Sequence, residues 1–334
     1  MTNITLIPTG GLCNRLRAIA STYQTARRSN CALRVVWNRY DGMNARFSDL
    51  FKPIEDDNLI VEDNNAWLYR INRRKDYLVR FPLLRLKYDA IYFQPSSFND
   101  SCLELTEKMK VGKDTNLLSI SGSPLCKDYP LAGLFIPVDD IAERIQKTTS
   151  KFSSNTIGIH IRRTDCVESI DKSPTQAFIN KIDEEIARDD SSVFYLASDD
   201  NKVKEQLKSA YGDRIITTTN NTQRDNIEGI KFAVYDLFCL SNTSKIIGSY
   251  YSSYTQEAAR LGNIQLEHAK KQKYRIHEHR HRIRGLQPHR QSGPAAALAG
   301  ARRLPRARHA CHLHRQEPDD GCGRLRPQLC VAAR

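Results

Sequence analysis

From residue 136 to 268 the chain alternates short apolar runs with helix-like segments, and this alternation constrains its fold most. The runs at 155–161, 193–197, 214–217 and 245–248 are rich in β-branched and aromatic residues, as buried strands are. The intervening segments 138–149, 173–188, 202–211, 227–240 and 253–261 have helical periodicity, with Ser173 and Pro174 suited to cap and begin the second of them. Strand–helix alternation at this spacing implies a parallel sheet. The N-terminus repeats the theme: a strand at 3–8, a Gly-rich turn at 9–14, a helix at 15–29 and a strand at 31–37. The expectation is an α/β protein of two Rossmann-like domains facing across a cleft. The turn has neither GxGxxG nor GK[ST], which excludes a dinucleotide fingerprint and a P-loop.

The first domain is expected over 1–135 and the second over 136–268. Residues 40–131 are less regular, with strands at 90–93 and 116–119 and a mixed aromatic and basic stretch at 67–85. Asp56, Asp57, Glu62 and Asp63 read as solvated loop charges rather than a metal site.

The strand at 155–161 ends in His160, Ile161, Arg162, Arg163, Thr164 and Asp165. Charge does not belong inside a sheet, so the arginines sit at the carboxyl end of the strand, where open α/β sheets bind ligands. Adjacent guanidiniums match the oxygens of a phosphate or diphosphate. Three further polar features fall at the same edge: Ser198-Asp199-Asp200, Asp236, and Ser249 to Tyr254. Taken singly, Asp199 or Asp200 reads more simply as a helix cap and Asp236 as a surface charge. Their combination with two arginines points to a ligand site.

The formal charge of +13 is misleading about partners. Residues 269–334 hold 16 Lys+Arg and 4 Asp+Glu, which leaves a net +1 for the 268 residues before them. This tail is Arg-, Ala-, Pro- and His-rich, has no hydrophobic period and carries eight of the nine histidines if His268 is included. Its composition suits an out-of-frame or fusion stretch better than a basic arm for nucleic acid or anionic lipid, so no nucleic-acid partner is expected. The nine cysteines include no CxxC pair and read as reduced thiols. Cys166, beside the arginines, is either a reactive thiol or a bystander. No run approaches the roughly 20 apolar residues of a membrane span. MTNITLIPTGG lacks the basic region of a signal peptide, so a cytoplasmic location is expected, with peripheral contact at the inner membrane face at most.

IGIHIRRTD, FYLASDD, GIKFAVYDLFCLS and IIGSYYSSYTQEAAR occur here in order, and GGLCNRLRAIAS opens the chain. In these blocks the sequence resembles the fucosyltransferases of the α1,6 type, the group of the nodulation fucosyltransferase and the animal core fucosyltransferase. HxRRTD is the diagnostic piece. The resemblance covers about residues 155–262 and 4–37. It implies a GT-B-like fold, GDP-fucose as donor, an oligosaccharide or lipid-linked glycan as acceptor, inversion at the anomeric carbon, and no metal or other cofactor. By position it implies that Arg162, aided by Arg163, meets the diphosphate, with Ser252 and Ser253 as donors at a helix N-terminus. His160 and Asp236 would meet the guanine, Asp199 and Asp200 would line the cleft, and Gly11, Cys13 and Asn14 would approach from the first domain. The family's glutamate base has no counterpart in register. Glu168 stands nearest, ahead of Asp171 and Asp165, and Asp165 has a structural alternative in orienting Arg162. The alternatives are transfer from another GDP-sugar, or a non-catalytic GDP-sugar- or glycan-binding protein of the same fold.

Overall fold

A computed structural model describes residues 2–271 apart from 41, 72–73, 95–104, 106, 108, 110–114, 165, 219–222 and 224. Most of the tail therefore lies outside the described residues, as does Asp165. Residues 1–275 cluster as one compact unit.

That unit contains two five-stranded sheets, both parallel throughout. The first is built from β1 (Asn3–Pro8), β2 (Ala32–Trp37), β3 (Leu59–Asp63), β4 (Ala90–Gln94) and β5 (Asn116–Ser121), in the order β3-β2-β1-β5-β4. The second is built from β6 (Thr156–Ile161), β7 (Val193–Ser198), β8 (Ile215–Ile216), β9 (Lys245–Gly248) and β10 (Gln265–His268), in the order β10-β9-β6-β7-β8. The second is the doubly wound Rossmann order; in the first the last two strands are exchanged. Central strands covered on both faces must be apolar throughout, and every residue of β6 is buried.

Helices connect the strands: α1 (Leu12–Arg28), α2 (Arg74–Arg85), α3 (Asp139–Thr149), α4 (Val167–Lys172), α5 (Thr175–Arg188), α6 (Asn201–Tyr211), α7 (Ile227–Ser241) and α8 (Ser253–Gly262). One hydrophobic cluster runs from Ile4, Leu16 and Ile19 in the first half to Leu237, Leu240 and Ala258 in the second. Across the same junction the Tyr129 hydroxyl donates to the Glu257 carboxylate at 3.0 Å, and Arg260 stacks over the Tyr129 ring at 4.2 Å.

Several expectations need correction. The helix expected at residue 15 starts at Leu12, because Gly11 is already its N-cap. Glu62 and Asp63 are not loop charges but end β3. Glu62 accepts two hydrogen bonds from Arg34 on β2, and Asp63 accepts those of Phe47 and Ser48. Pro174, not Ser173, occupies the N-cap of α5; the Ser173 hydroxyl instead accepts from the Tyr250 amide at 2.9 Å. Arg214 lies in a single 3-10 turn, so β8 keeps two residues. The tail does not begin at 269: Ala269 is fully buried against β9, its amide donates to Gly248, and the Lys271 amide donates to Lys172.

Candidate functional site

Strand order reverses between β6 and β9, and a cleft opens there. It is lined by Gly11, Cys13 and Asn14 from the first half and by His160, Arg162, Asp199, Asp236 and Ser253 from the second. These are eight of the expected site residues.

His160 is the last but one residue of β6 and lies in register with Gly248 of β9. A Cβ on Gly248 would lie 2.0 Å from the Thr255 methyl, so glycine is what admits α8 to the strand ends. Thr255 Oγ1 thereby reaches His160 Nδ1 at 2.7 Å, and the imidazole stacks on Tyr254 with ring centroids 4.7 Å apart. Burial lowers the His160 pKa to about 4, against the attraction of Asp199 and together with the repulsion of Arg162 and Lys204. The ring is thus neutral at neutral pH and offers a donor and an acceptor.

Asp236 projects from α7 and is buried. The Tyr195 hydroxyl on β7 donates to its Oδ1 at 2.5 Å. Burial raises its pKa to about 6, while the Lys204 cation, the Tyr195 hydrogen bond and Arg144 keep it from rising further. A carboxylate has about four acceptor sites, so one hydrogen bond leaves room for a bidentate partner.

The arginine turn is held through its backbone. Asp199 Oδ1 accepts from the Arg163 amide at 2.7 Å, and Oδ2 accepts from the Thr164 amide and hydroxyl at 3.2 and 2.6 Å. The Arg162 amide donates to Ser249 Oγ at 3.0 Å. Asp199 is therefore both a lining residue and the clamp of the turn. Arg163 does not line the cleft: its guanidinium donates to Thr175 Oγ1 at 3.1 Å and to the Arg162 carbonyl at 2.8 Å, beside the Phe178 ring. Two hydroxyl and carboxylate positions are caps. Asp200 accepts from the Lys202 amide at the start of α6, and Ser252 Oγ accepts from the Thr255 amide at the start of α8. Glu168 and Asp171 lie exposed on the short helix α4, outside the cleft lining, and Asp165 is outside the described residues.

The first half closes the cleft with the turn after β1. Gly10 has φ +78°, a left-handed conformation that suits glycine. Arg15, fully buried, secures this turn: Nε donates to the Gly10 carbonyl at 3.1 Å and Nη1 to the Asn38 carbonyl at 2.7 Å, over the Trp37 ring. Burial lowers the Arg15 pKa to about 10, which still leaves it cationic at neutral pH.

No protein-family model and no curated protein sequence matches this chain. Solved structures do. NodZ α1,6-fucosyltransferase soaked with GDP-fucose aligns with a TM-score of 0.52 at 17% identity, covering 77% of this chain and 92% of that one. Fucosyltransferase NodZ from Bradyrhizobium gives 0.52 at 16% over the same shares. A mutant of Arabidopsis thaliana FUT1 in complex with GDP gives 0.53 at 16%, covering 80% of this chain and 70% of that one.

This chain has the fold of the GT-B fucosyltransferases. Within that fold, the cleft rests on supporting residues that sequence reasoning missed. Lys204 is 1% exposed, donates to the Thr218 carbonyl at 2.9 Å and sits over the Phe232 ring; its helix reads as a charged surface helix, which gives no hint of burial. Tyr195 and Arg15 were hidden in the same way, one inside an apolar strand and the other inside an amphipathic helix. Thr255 could have been found, since it directly follows the polar stretch from Ser249 to Tyr254. The cleft thus offers a cation in Arg162, the positive end of α8 at Ser253, and a neutral imidazole beside a carboxylate. That set suits a nucleotide carrying an anionic group. Among the described residues no group of three or more His, Cys, Asp or Glu side chains could hold a metal ion. Among the same residues no helix is long and apolar enough to cross a membrane.

Proposed function

We propose that this protein transfers fucose from GDP-fucose to a glycan hydroxyl, with inversion and without a metal. The observation that carries the reading is the convergence of His160, Asp236 and Arg162 on one cleft, in a fold whose solved representatives include complexes with GDP and with GDP-fucose. Asp236 accepts the N1 and N2 hydrogens of guanine, and neutral His160 meets another edge of the base. Arg162 and the N-terminus of α8 take the diphosphate and stabilise the charge that grows on GDP as the glycosidic bond breaks. Asp199 keeps the Arg162 turn in place. The cytoplasm is the proposed compartment, and an oligosaccharide or lipid-linked glycan the proposed acceptor.

The second reading is a GDP-sugar-binding protein without catalysis. It is favoured by the placement of Glu168 and Asp171, both exposed and outside the cleft lining, where neither is in position to take the acceptor's proton. Transfer from another GDP-sugar is the third. GDP release from GDP-fucose, GDP-mannose and UDP-sugars, with a panel of glycan acceptors and with EDTA, tests all three. Acceptor-dependent release from GDP-fucose alone, unchanged by EDTA, is the expected result. GDP binding with no turnover of any donor would leave the binding protein, and strong EDTA inhibition would remove the metal-free mechanism.

A further inference from the structure

Half of the large apolar side chains exposed among the described residues fall in one short segment. Trp67 is 53% exposed, Leu78 59%, Val79 65%, Leu83 49% and Leu86 86%. Val79, Leu83 and Leu86 follow one another at helical steps, with Leu78 beside Val79 and two turns from Leu86, so they form one broad stripe along α2 and the turn after it. Pro82, also exposed, lies within it. The stripe is not a core face left open, because the core contact is made by the opposite side. Leu84 and Tyr88 are buried with Tyr69 and Ile71, and Arg80 is pinned by its hydrogen bond to the Trp67 carbonyl at 2.6 Å. A helix of a soluble domain faces water with its polar side; α2 faces it with its apolar side.

The charge around this stripe has one sign. Residues 67–88 contain seven Lys+Arg and a single acid, Asp76, in a folded region whose overall balance is +1. Asp76 pairs with Arg80 at 3.6 Å. Arg70, Lys75, Arg85 and Lys87 are exposed at and beside the stripe. A second copy of this face would set like charges against each other, and lysine is depleted at the centres of protein interfaces. An apolar stripe with a cationic margin matches the boundary between the headgroups and acyl chains of an anionic bilayer.

We propose that α2 and the preceding turn at Trp67 are a membrane-docking face, lying in the plane of an anionic lipid surface with Leu78, Val79, Leu83 and Leu86 inserted. This does not depend on the activity assigned to the cleft.

The test is sedimentation of the full chain with vesicles of phosphatidylcholine and of phosphatidylcholine mixed with phosphatidylglycerol, at about 0.15 M salt. Trp67 fluorescence is the second readout, since the only other tryptophan, Trp37, is 1% exposed and does not change its surroundings on docking. The expected result is uptake on anionic vesicles with a blue shift, and on the order of a tenfold loss in Leu78→Glu/Leu86→Glu protein. These positions are exposed, so thermal melting should not move. Lys75→Gln/Arg85→Gln should weaken uptake on the anionic vesicles and make what remains less sensitive to salt. A chain cut after Lys271 separates the contribution of the basic residues beyond it. Three outcomes overturn the proposal: equal uptake by the double-glutamate variant, uptake lost entirely on the cut, or a wild-type dimer that the double-glutamate variant makes monomeric, which would assign the face to a second copy.

Discussion

Arg162 shows how a charged side chain can be replaced without unfolding its surroundings. Its backbone is fixed by Ser249 and its neighbours by Asp199, so Arg162→Ala should fold normally. Loss of a cation facing a leaving diphosphate costs about 10²–10³ in kcat by analogy with other preorganised donors. Turnover of GDP-fucose and a thermal melt check both halves of that statement; a variant with full activity would remove Arg162 from the site. Asp236 makes the opposite trade. Its folded pKa of about 6 lies above the ordinary 3.8, so its contribution to stability is full below that ordinary value and lost as pH rises through about 6. Asp236→Asn should therefore raise the melting temperature at pH 8, by at most about 3 kcal/mol in free energy, with the gain vanishing towards pH 4. GDP binding runs the other way, because only the ionised carboxylate accepts two guanine hydrogens. Affinity should fall as pH drops through about 6. Lys204→Met, which removes the cation holding that value down, should shift the fall to higher pH. An unshifted profile in a calorimetric titration would show that Lys204 does not act on Asp236.

At the level of elements, the strands that read clearly were those with uninterrupted apolar runs, such as β1, β6, β7 and β9. β10 (Gln-Leu-Glu-His) and β3 (Leu-Ile-Val-Glu-Asp) are not legible because acidic residues break their apolar runs, which their edge positions tolerate. An edge strand needs less apolar surface and can carry charge that finds its partner across the ladder, as Glu62 finds Arg34. The candidate site was legible for the same reason that the strands were: polar residues at the ends of apolar runs stand out. What was not legible is direction. His160, Arg162 and Asp236 reach the cleft, whereas neighbouring Arg163, Asp200 and Ser252 bond to their own elements, and residue type does not distinguish the two. The Asp199 clamp belongs to this level, since it joins the end of β7 to the turn after β6. Asp199→Asn would keep an acceptor for the Arg163 amide and present an amide nitrogen or lose a bond at Thr164. A fall of about tenfold in kcat is expected with little change in melting. A variant that instead lost only thermal stability would make the clamp purely structural.

For the whole molecule, the position at which the folded unit ends matters. A cut placed by composition, before Ala269, would remove a fully buried residue and the Gly248 and Lys172 pairings that close the edge of the second sheet. A cut after Lys271 keeps them. The longer chain should retain GDP binding and its melting temperature, while the shorter should lose several degrees in a melt. Equal melting of the two would show that β10 gains nothing from the residues that follow it. The two halves are joined by a continuous apolar cluster and by Tyr129, Glu257 and Arg260, so they should melt in a single transition rather than two. The grip of Asp199 on the Arg163 and Thr164 amides also has a consequence for descent. A turn clamped through its main chain works as a socket. The side chain at 162, which lines the cleft, can be exchanged with the fold kept, and so a lineage built on this frame can change the anion it handles without first passing through an unfolded ancestor.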